Sequence, residues 1–287
     1  MLDSEFDLFA PPIFENNRHS SDLAQELFTF TRMNRGSGWT RRNEAVVVID
    51  GVAQQHRAGN VYSGQDAYVV GARDKFLDEI CSSLSATNVS FYDMRARDIV
   101  PLRKIVGMRR LQIEWNTKME DYGPIGDLAD LEVLSLSNTP KATDLGLISR
   151  LKKLRVLAFS GSVTGWGHNT ANSLEPLVHL NELESLDLRG FRVRKGGILP
   201  LSDCKKLRRL AVSNTFPTED FAYLAAKMPN TLCRWFRGAH SWSNSPIGVG
   251  ADTWITGKRK PVLDSRVHND RIRKYWYEFE QMKAKLA

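Results

Sequence analysis

The side chains in this sequence that could act as nucleophiles or metal ligands are three cysteines and six histidines. Cys81, Cys204 and Cys233 form no Cys-x-x-Cys pair, and an odd number of cysteines argues against a disulfide framework. The histidines are scattered without metal-ligand spacing, and the sequence has no glycine-rich phosphate loop, Gly-x-Ser-x-Gly or His-Glu-x-x-His motif. The sequence therefore predicts a protein that is not an enzyme and that carries no cofactor and no metal.

The sequence is richer in side chains suited to binding another macromolecule than in catalytic or metal-binding motifs. Trp115, Arg110, Arg189 and Arg209 are of the residue types that dominate the binding energy of protein interfaces. They are spread over about a hundred positions of the chain, so they can act together only if the fold stacks distant segments side by side.

A recurring six-residue motif, called the phrase below, predicts such stacking. It reads Leu-x-x-Leu-x-Leu with small variations, and it begins at residues 86, 108, 131, 154, 183 and 207. Its last apolar positions alternate with polar ones, which is typical of a strand with one buried face. A Pro-Leu-type segment lies seven residues before five of these phrases. Its three-residue apolar spacing favours a 3₁₀ or helical turn, in which the proline occupies the first turn.

This period and pattern resemble the leucine-rich-repeat family, in its cytoplasmic bacterial type, over residues 86–228. One repeat cannot bury its apolar side alone, so neighbouring repeats must share a core. The resemblance implies an α/β protein with a curved parallel sheet of about six repeats. The family's usual asparagine position holds Asn116, Thr139, Ser162, Phe191 and Thr215 in turn. We therefore expect an incomplete buried ladder of polar side chains, interrupted at Phe191.

The flanks show no repeat and are predicted to cap the array, because terminal units must differ to stay soluble. We divide the chain into an α/β cap over residues 1–85, leucine-rich repeats over 86–236 and a C-terminal cap over 237–287. The N-terminal cap is predicted to hold an irregular lead over 1–19, a helix near 22–30, strands at 45–49 and 67–70, and a helix near 76–84. The C-terminal cap is predicted to be helical and to end in a basic amphipathic helix that folds back on the array.

Counted over nine residues from the start of each phrase, the residues at positions 3, 5, 7 and 8 are expected to point away from the core and to form the inner, concave face of the sheet. The sequence predicts that this face, with the loop at 161–171, binds a protein partner. Candidate contact residues are Arg110, Gln112, Glu114, Trp115, Ser135, Ser137, Asn138, Ser160, Trp166, Asp187, Arg189, Arg209 and Ser213.

A second hypothesis assigns binding to nucleic acid. Basic pairs precede several strands, and residues 253–287 hold nine Lys or Arg against four Asp or Glu, together with Trp254 and three aromatic residues at 275–277. Basic and aromatic side chains in one region are typical of single-stranded nucleic-acid surfaces. A third hypothesis makes the chain a regulatory subunit of an enzyme complex. Fold alone does not choose among the three.

The composition of the chain indicates its class of protein and its cellular compartment. The 287 residues carry a formal net charge of +7, and 42% of them are hydrophobic, as in ordinary globular proteins. No apolar run approaches the ~18 residues of a membrane span. The acidic first residues do not match a secretion signal, and the few cysteines favour a reducing compartment. We therefore expect a cytoplasmic protein with no membrane contact, and the oligomeric state stays open.

Overall fold

The computed structural model describes residues 45–160, 169–241 and 251–286, and a nine-stranded sheet forms its centre. The strands are β1 (Val46–Ile49), β2 (Val52–Gln55), β3 (Tyr62–Val70), β4 (Leu84–Tyr92), β5 (Arg110–Glu114), β6 (Val133–Ser137), β7 (Val156–Ser160), β8 (Asn169–Ala171), β9 (Ser185–Leu188), β10 (Phe191–Val193), β11 (Arg209–Val212), β12 (Ala239–Ser241), β13 (Thr253–Ile255) and β14 (Val262–Leu263). The helices are α1 (Asp74–Ser83), α2 (Gly123–Gly126), α3 (Thr218–Lys227) and α4 (Asn269–Leu286).

The main sheet runs in the order β11-β9-β7-β6-β5-β4-β3-β1-β2, and it is parallel from β3 to β11. Equivalent leucines of successive phrases are in-register neighbours on adjacent strands. They are Leu111, Leu134, Leu157, Leu186 and Leu210. This register confirms the predicted leucine-rich-repeat solenoid, because each phrase adds one strand in the same orientation.

Between strands the chain returns through short turns, as the proline-containing segments predicted. Four are 3₁₀ helices, at Val100–Lys104, Ile148–Arg150, Glu175–His179 and Leu199–Asp203, and α2 is a single helical turn. One apolar side chain from each turn is buried in the same core as the strand leucines, namely Leu102, Ile125, Ile148, Leu177 and Leu201. The core therefore lies between sheet and turns, and the opposite side of the sheet is called the concave face below.

The buried polar ladder differs from the one that the sequence predicts. Asn116 accepts the backbone N–H groups of residues 118 and 119 at 2.9 Å each and donates to the Ala96 carbonyl at 3.0 Å. In the fourth repeat the same role belongs to Asn169, which accepts the Thr139 N–H at 2.7 Å and donates to the Leu136 carbonyl at 3.0 Å. Ser162, the expected residue, lies outside the described residues.

Phe191 interrupts the polar ladder, as the sequence predicts, and the turn after β9 continues directly into a further strand. Phe191 is buried and begins β10, which pairs in parallel with β8 so that Phe191 stands opposite Asn169. Its ring lies 5.5 Å from that of Phe159, measured between centroids. The longer repeat thus adds a small second sheet, and an aromatic contact replaces the polar ladder at this position.

The N-terminal flank extends the repeat sheet. β3 runs parallel to β4, and β1 lies antiparallel between β3 and β2. The predicted strands at 45–49 and 67–70 and the helix near 76–84 are confirmed as β1, β3 and α1. The strand β2 was not predicted, because its sequence Val-Ala-Gln-Gln is short and carries no clear alternation. The predicted lead at 1–19 and helix at 22–30 lie outside the described residues.

The C-terminal flank closes the other end of the array. α3 and α4 pack together, and Phe279 of α4 is fully buried in the main core. The predicted terminal amphipathic helix is confirmed, whereas α3 was not predicted. The Trp235 indole N–H donates to the Val212 carbonyl at 2.7 Å, and Asn214 bonds to the backbone of Ile255 and Gly257. These bonds satisfy backbone groups that a further repeat would otherwise satisfy.

Candidate partner-binding surface

Parallel strands bring the predicted contact residues to one face. Side chains alternate along a strand, so Arg110, Gln112 and Glu114 point away from the core that contains Leu111 and Ile113. The same alternation in β6, β7, β9 and β11 aligns the remaining members in rows across the sheet. The structure therefore groups most of the predicted residues, although they are distant in sequence.

The middle of this face offers little surface to a partner. Ser135 and Asn138 were predicted as contact residues, but only 6% and 7% of their surfaces are exposed. Val133 and Ala158 are 4% exposed. These small side chains are flanked by the side chains of the two adjacent strands. The side chain of Ser160 and the whole of Trp166 lie outside the described residues. The accessible part of the face is concentrated toward its two ends.

Trp115 occupies a backbone conformation that its residue type rarely adopts. Counted from the start of the first, second, third and fifth phrases, the eighth residue is Asp93, Trp115, Asn138 and Gly190, with φ values of 52°, 65°, 55° and 67°. Asp, Asn and Gly tolerate this left-handed region, whereas a bulky side chain there is an outlier. The Trp115 N–H donates to the Ser137 carbonyl at 2.9 Å, so the neighbouring strand holds the turn in place.

The Trp115 side chain is only partly buried, although its backbone is strained. It is 40% exposed at the rim of the concave face. Strain of this kind costs about 1–3 kcal/mol and is concentrated at functional sites. An exposed aromatic ring on a strained turn therefore makes Trp115 the strongest candidate anchor on the face.

Arg189 is less available than its sequence position suggests. Its guanidinium contacts both carboxylate oxygens of Asp187 at 2.6 to 3.1 Å, and Asp187 also accepts the Arg189 backbone N–H at 3.0 Å. This bidentate contact fixes the orientation of the guanidinium and largely cancels its charge. Asp187 and Arg189 together present a rigid polar pair.

A row of alternating charges borders the face, and the sequence hypotheses did not include it. The second position of successive phrases reads Arg109, Glu132, Arg155, Glu184 and Arg208. Each of these residues donates its backbone N–H to the carbonyl of the preceding one from Glu132 onward, so the five lie in a row. The alternating signs in the sequence were the signal that could have revealed this arrangement.

Ion pairs join members of this charge row two by two. Arg109 contacts Glu132 at 2.9 Å, and Arg155 contacts both oxygens of Glu184 at 3.0 and 3.2 Å. The hydrogen bond from Arg155 lowers the pKa of the Glu184 carboxyl and raises the pKa of the guanidinium. Arg208 ends the row. The next residue to donate its backbone N–H to this row is the apolar Leu232, which bonds to the Arg208 carbonyl. The Arg208 charge also contributes to the lowered pKa of Glu184, but within the described part of the chain its guanidinium forms no ion pair or hydrogen bond with a carboxylate.

The basic turns named in the nucleic-acid hypothesis are also largely paired. Lys153 contacts Asp130 at 2.7 Å, Lys206 contacts Glu182 at 2.7 Å and Lys205 contacts Asp203 at 3.1 Å. Each pair is solvent-exposed and adds little stability. Pairing nevertheless reduces the net positive potential that these turns would offer to a phosphate backbone.

The aromatic residues of the C-terminal flank are engaged within the protein to different degrees. The Trp254 ring lies 6.5 Å from that of Trp235, and Tyr275 has the Lys260 ammonium 5.0 Å from its ring centre. Tyr277 is 46% exposed. A continuous stacking platform for bases would need several open rings, and among these three only Tyr277 presents one.

The thiols are poor nucleophiles at neutral pH. Burial raises the pKa of Cys81 to about 12, of Cys204 to about 11 and of Cys233 to about 12. A reactive cysteine requires a lowered pKa, since the thiolate is the attacking species. Within residues 45–160, 169–241 and 251–286, no cluster of three His, Cys, Asp or Glu side chains is arranged to hold a metal ion. No helix in those ranges has the length and apolar content to cross a membrane.

Comparison with known proteins finds related folds at low sequence identity. No protein-family model and no curated protein matches the chain. Solved structures of internalin C2 and an internalin F from Listeria monocytogenes are 19% and 15% identical, with TM-scores of 0.43 and 0.42. Each match covers 57% of this chain, and 68% and 58% of those proteins respectively. A leucine-rich-repeat protein from Leptospira interrogans is 14% identical with a TM-score of 0.32, and the match covers 56% of this chain and 50% of that one.

Proposed function

We propose that this chain is a non-catalytic interaction protein that binds a partner protein on its concave face, with Trp115 as the anchor. The observation that carries the proposal is the exposed indole on a left-handed backbone. A glycine or asparagine would fit that turn with less strain, so the tryptophan backbone conformation there has a cost in stability. Tryptophan is also among the residues most enriched in binding hot spots.

The remainder of the face supports a shallow protein-binding surface. Its buried centre of small residues allows a partner to approach the sheet closely, while Arg110, Glu114 and Arg209 offer polar contacts at the ends. The accessible polar residues at the two ends correspond to the polar rim of an interface. The three free cysteines support a reducing compartment, and we place the protein in the cytoplasm on that ground.

The nucleic-acid hypothesis has weaker support. Its basic turns are engaged in ion pairs, and two of the three aromatic side chains considered above contact neighbouring protein groups. Binding carried by phosphate contacts falls steeply as salt increases, whereas an aromatic anchor depends little on ionic strength. Salt dependence therefore separates the two hypotheses.

Affinity capture from a lysate of the source cells, with and without nuclease and at two salt concentrations, tests this function. We expect a discrete protein that survives nuclease treatment and moderate salt, and that is recovered by the wild-type chain but not by the Trp115→Gly variant. Recovery of nucleic acid, lost as salt rises, would instead favour the basic turns and tail. A captured enzyme whose activity changes on binding would favour the regulatory-subunit hypothesis.

The Trp115→Gly substitution is expected to separate binding from stability. Glycine relieves the left-handed strain, and this offsets the packing lost with the partly buried indole, so the melting temperature should stay within a few degrees of the wild type. Loss of a hot-spot side chain costs at least about 2 kcal/mol, or roughly a thirtyfold rise in Kd for the captured partner. Calorimetric melting and isothermal titration measure the two effects.

The matched control is Tyr277→Ala, which removes an exposed aromatic side chain outside the concave face. This variant should bind the partner like the wild type. Unchanged binding by Trp115→Gly would move the interface away from the rim at β5. A melting temperature lowered by much more than a few degrees, with partner binding unchanged, would show that the indole serves stability instead of recognition.

A further inference from the structure

A cleft at the edge of the concave face crosses five strands of the array. Its volume is about 290 Å³, and it is lined by Arg110, Glu132, Val133, Arg155, Val156, Glu184, Ser185, Arg208 and Arg209. These are the second and third positions of successive phrases, so the cleft follows the charge row described above. Adjacent strands lie ~4.8 Å apart, which makes the distance from β5 to β11 about 19 Å.

The charges along this cleft are not balanced. Four arginines and two glutamates line it, and both carboxylates already accept hydrogen bonds, Glu132 from Arg109 and Glu184 from Arg155. Arg208 and Arg209 are exposed, and neither has a side-chain ion pair or hydrogen bond within the described part of the chain. The positive charge that remains to be matched is therefore concentrated at the β11 end.

The floor of the cleft suits a narrow, extended ligand. Val133 and Ser185 occupy equivalent positions on their strands and are 4% and 8% exposed, so short side chains form the bottom between the charged walls. An extended polypeptide rises at most ~3.3–3.6 Å per residue. A segment of about six residues would span the cleft from end to end.

We propose that this cleft binds an extended acidic segment of the partner protein, with carboxylates of that segment paired to Arg208 and Arg209. The inference deepens the proposed function and rests on it. Arginine presents a planar fork that matches a carboxylate through two parallel hydrogen bonds. A peptide can place its carboxylates at the β11 end and present neutral backbone amides where Glu132 and Glu184 lie.

Nucleic acid fits this cleft less well. A polynucleotide carries a charge at every residue, so phosphates would approach Glu132 and Glu184 as well as the arginines. No aromatic side chain is among the described residues that line the cleft, so bases would lack the stacking contacts that single-strand binding uses.

Fluorescence anisotropy tests the proposal with a fluorescein-labelled hexapeptide of alternating glutamate and glycine. The same peptide with glutamine in place of glutamate, and a labelled hexathymidylate, serve as ligand controls. The full chain carrying Arg208→Gln and Arg209→Gln is compared with one carrying Arg57→Gln and Arg192→Gln. The second pair removes the same charge from exposed arginines outside the cleft. Thermal melting of both variants checks that the fold is intact.

We expect the glutamate peptide to bind at moderate salt and its Kd to rise at least about tenfold in the Arg208/Arg209 variant. The Arg57/Arg192 variant should bind it like the wild type. Equal weakening in both variants would reduce the effect to net charge and overturn the proposal. Equal binding of the glutamine peptide, or equal or tighter binding of hexathymidylate, would overturn it as well.

The cleft and the proposed function can fail separately. If the glutamate peptide does not bind but partner capture still requires Trp115, the cleft assignment is wrong and the proposed function stands. If the peptide binds through Arg208 and Arg209 but capture is independent of Trp115, the cleft assignment stands and the anchor is wrong.

Discussion

The Leu157→Asp substitution is expected to abolish cooperative unfolding of the chain. Leu157 is fully buried on β7 and stands between Leu134 and Leu186 of the neighbouring strands. Removing a buried leucine side chain costs about 2–5 kcal/mol, and an unpartnered buried carboxylate adds a further penalty. The total approaches the ~5–15 kcal/mol that stabilises a typical domain. Circular dichroism during heating should show no sharp transition.

The control for this substitution is Val156→Asp, one residue earlier on the same strand. Val156 faces the concave side and is partly exposed, so its replacement leaves the new carboxylate in contact with solvent. This variant should melt within a few degrees of the wild type. A soluble Leu157→Asp variant with a normal transition would refute the assigned register, because Leu157 would then not face the shared core.

The Asn169→Leu substitution is expected to lower the free energy of unfolding by about 3 kcal/mol. Asn169 is fully buried and bonds to the Thr139 N–H and the Leu136 carbonyl. Leucine occupies a similar volume and excludes water, so both backbone groups would lose their partner at about 1–3 kcal/mol each. For a chain of this size the melting temperature should fall by roughly 10 °C.

The matched control is Asn181→Leu, because Asn181 is exposed between repeats. Chemical denaturation of the two variants should give a large shift of the midpoint for Asn169→Leu and a shift within about 0.5 kcal/mol for Asn181→Leu. Equal midpoints would show that the insertion in the fourth repeat does not contribute to the ladder.

The two stability predictions concern the two sets of buried residues that support the proposed binding surface. The leucine rows fix the strands that carry the concave face, and the polar ladder fixes the turns that follow them. Trp115 lies between these systems, directly after β5 and directly before the ladder residue Asn116. A rigid frame on both sides is what allows a strained turn to persist, and under the proposed function it presents the indole to a partner without a cost of ordering.

Local patterns in the sequence were sufficient to predict the strands of the repeats, the turns between them and the shared core. The spacing within each phrase selects strand or 3₁₀ geometry through the nearest neighbours alone, and identical phrases stack in the only register that aligns their leucines. For the same reason the terminal helix and the strands β1 and β3 were predictable. Their apolar periodicity is visible within a single segment.

Only the tertiary structure decided the features that depend on contact between repeats. The extra residues of the fourth repeat move the ladder position to Asn169, and no local signal shows where a chain of that length returns to the stack. The burial of Ser135 and Asn138 arises from the side chains on adjacent strands. The left-handed turn that strains Trp115 and the row that isolates Arg208 also arise from stacking, because each depends on the bonds that neighbouring repeats offer.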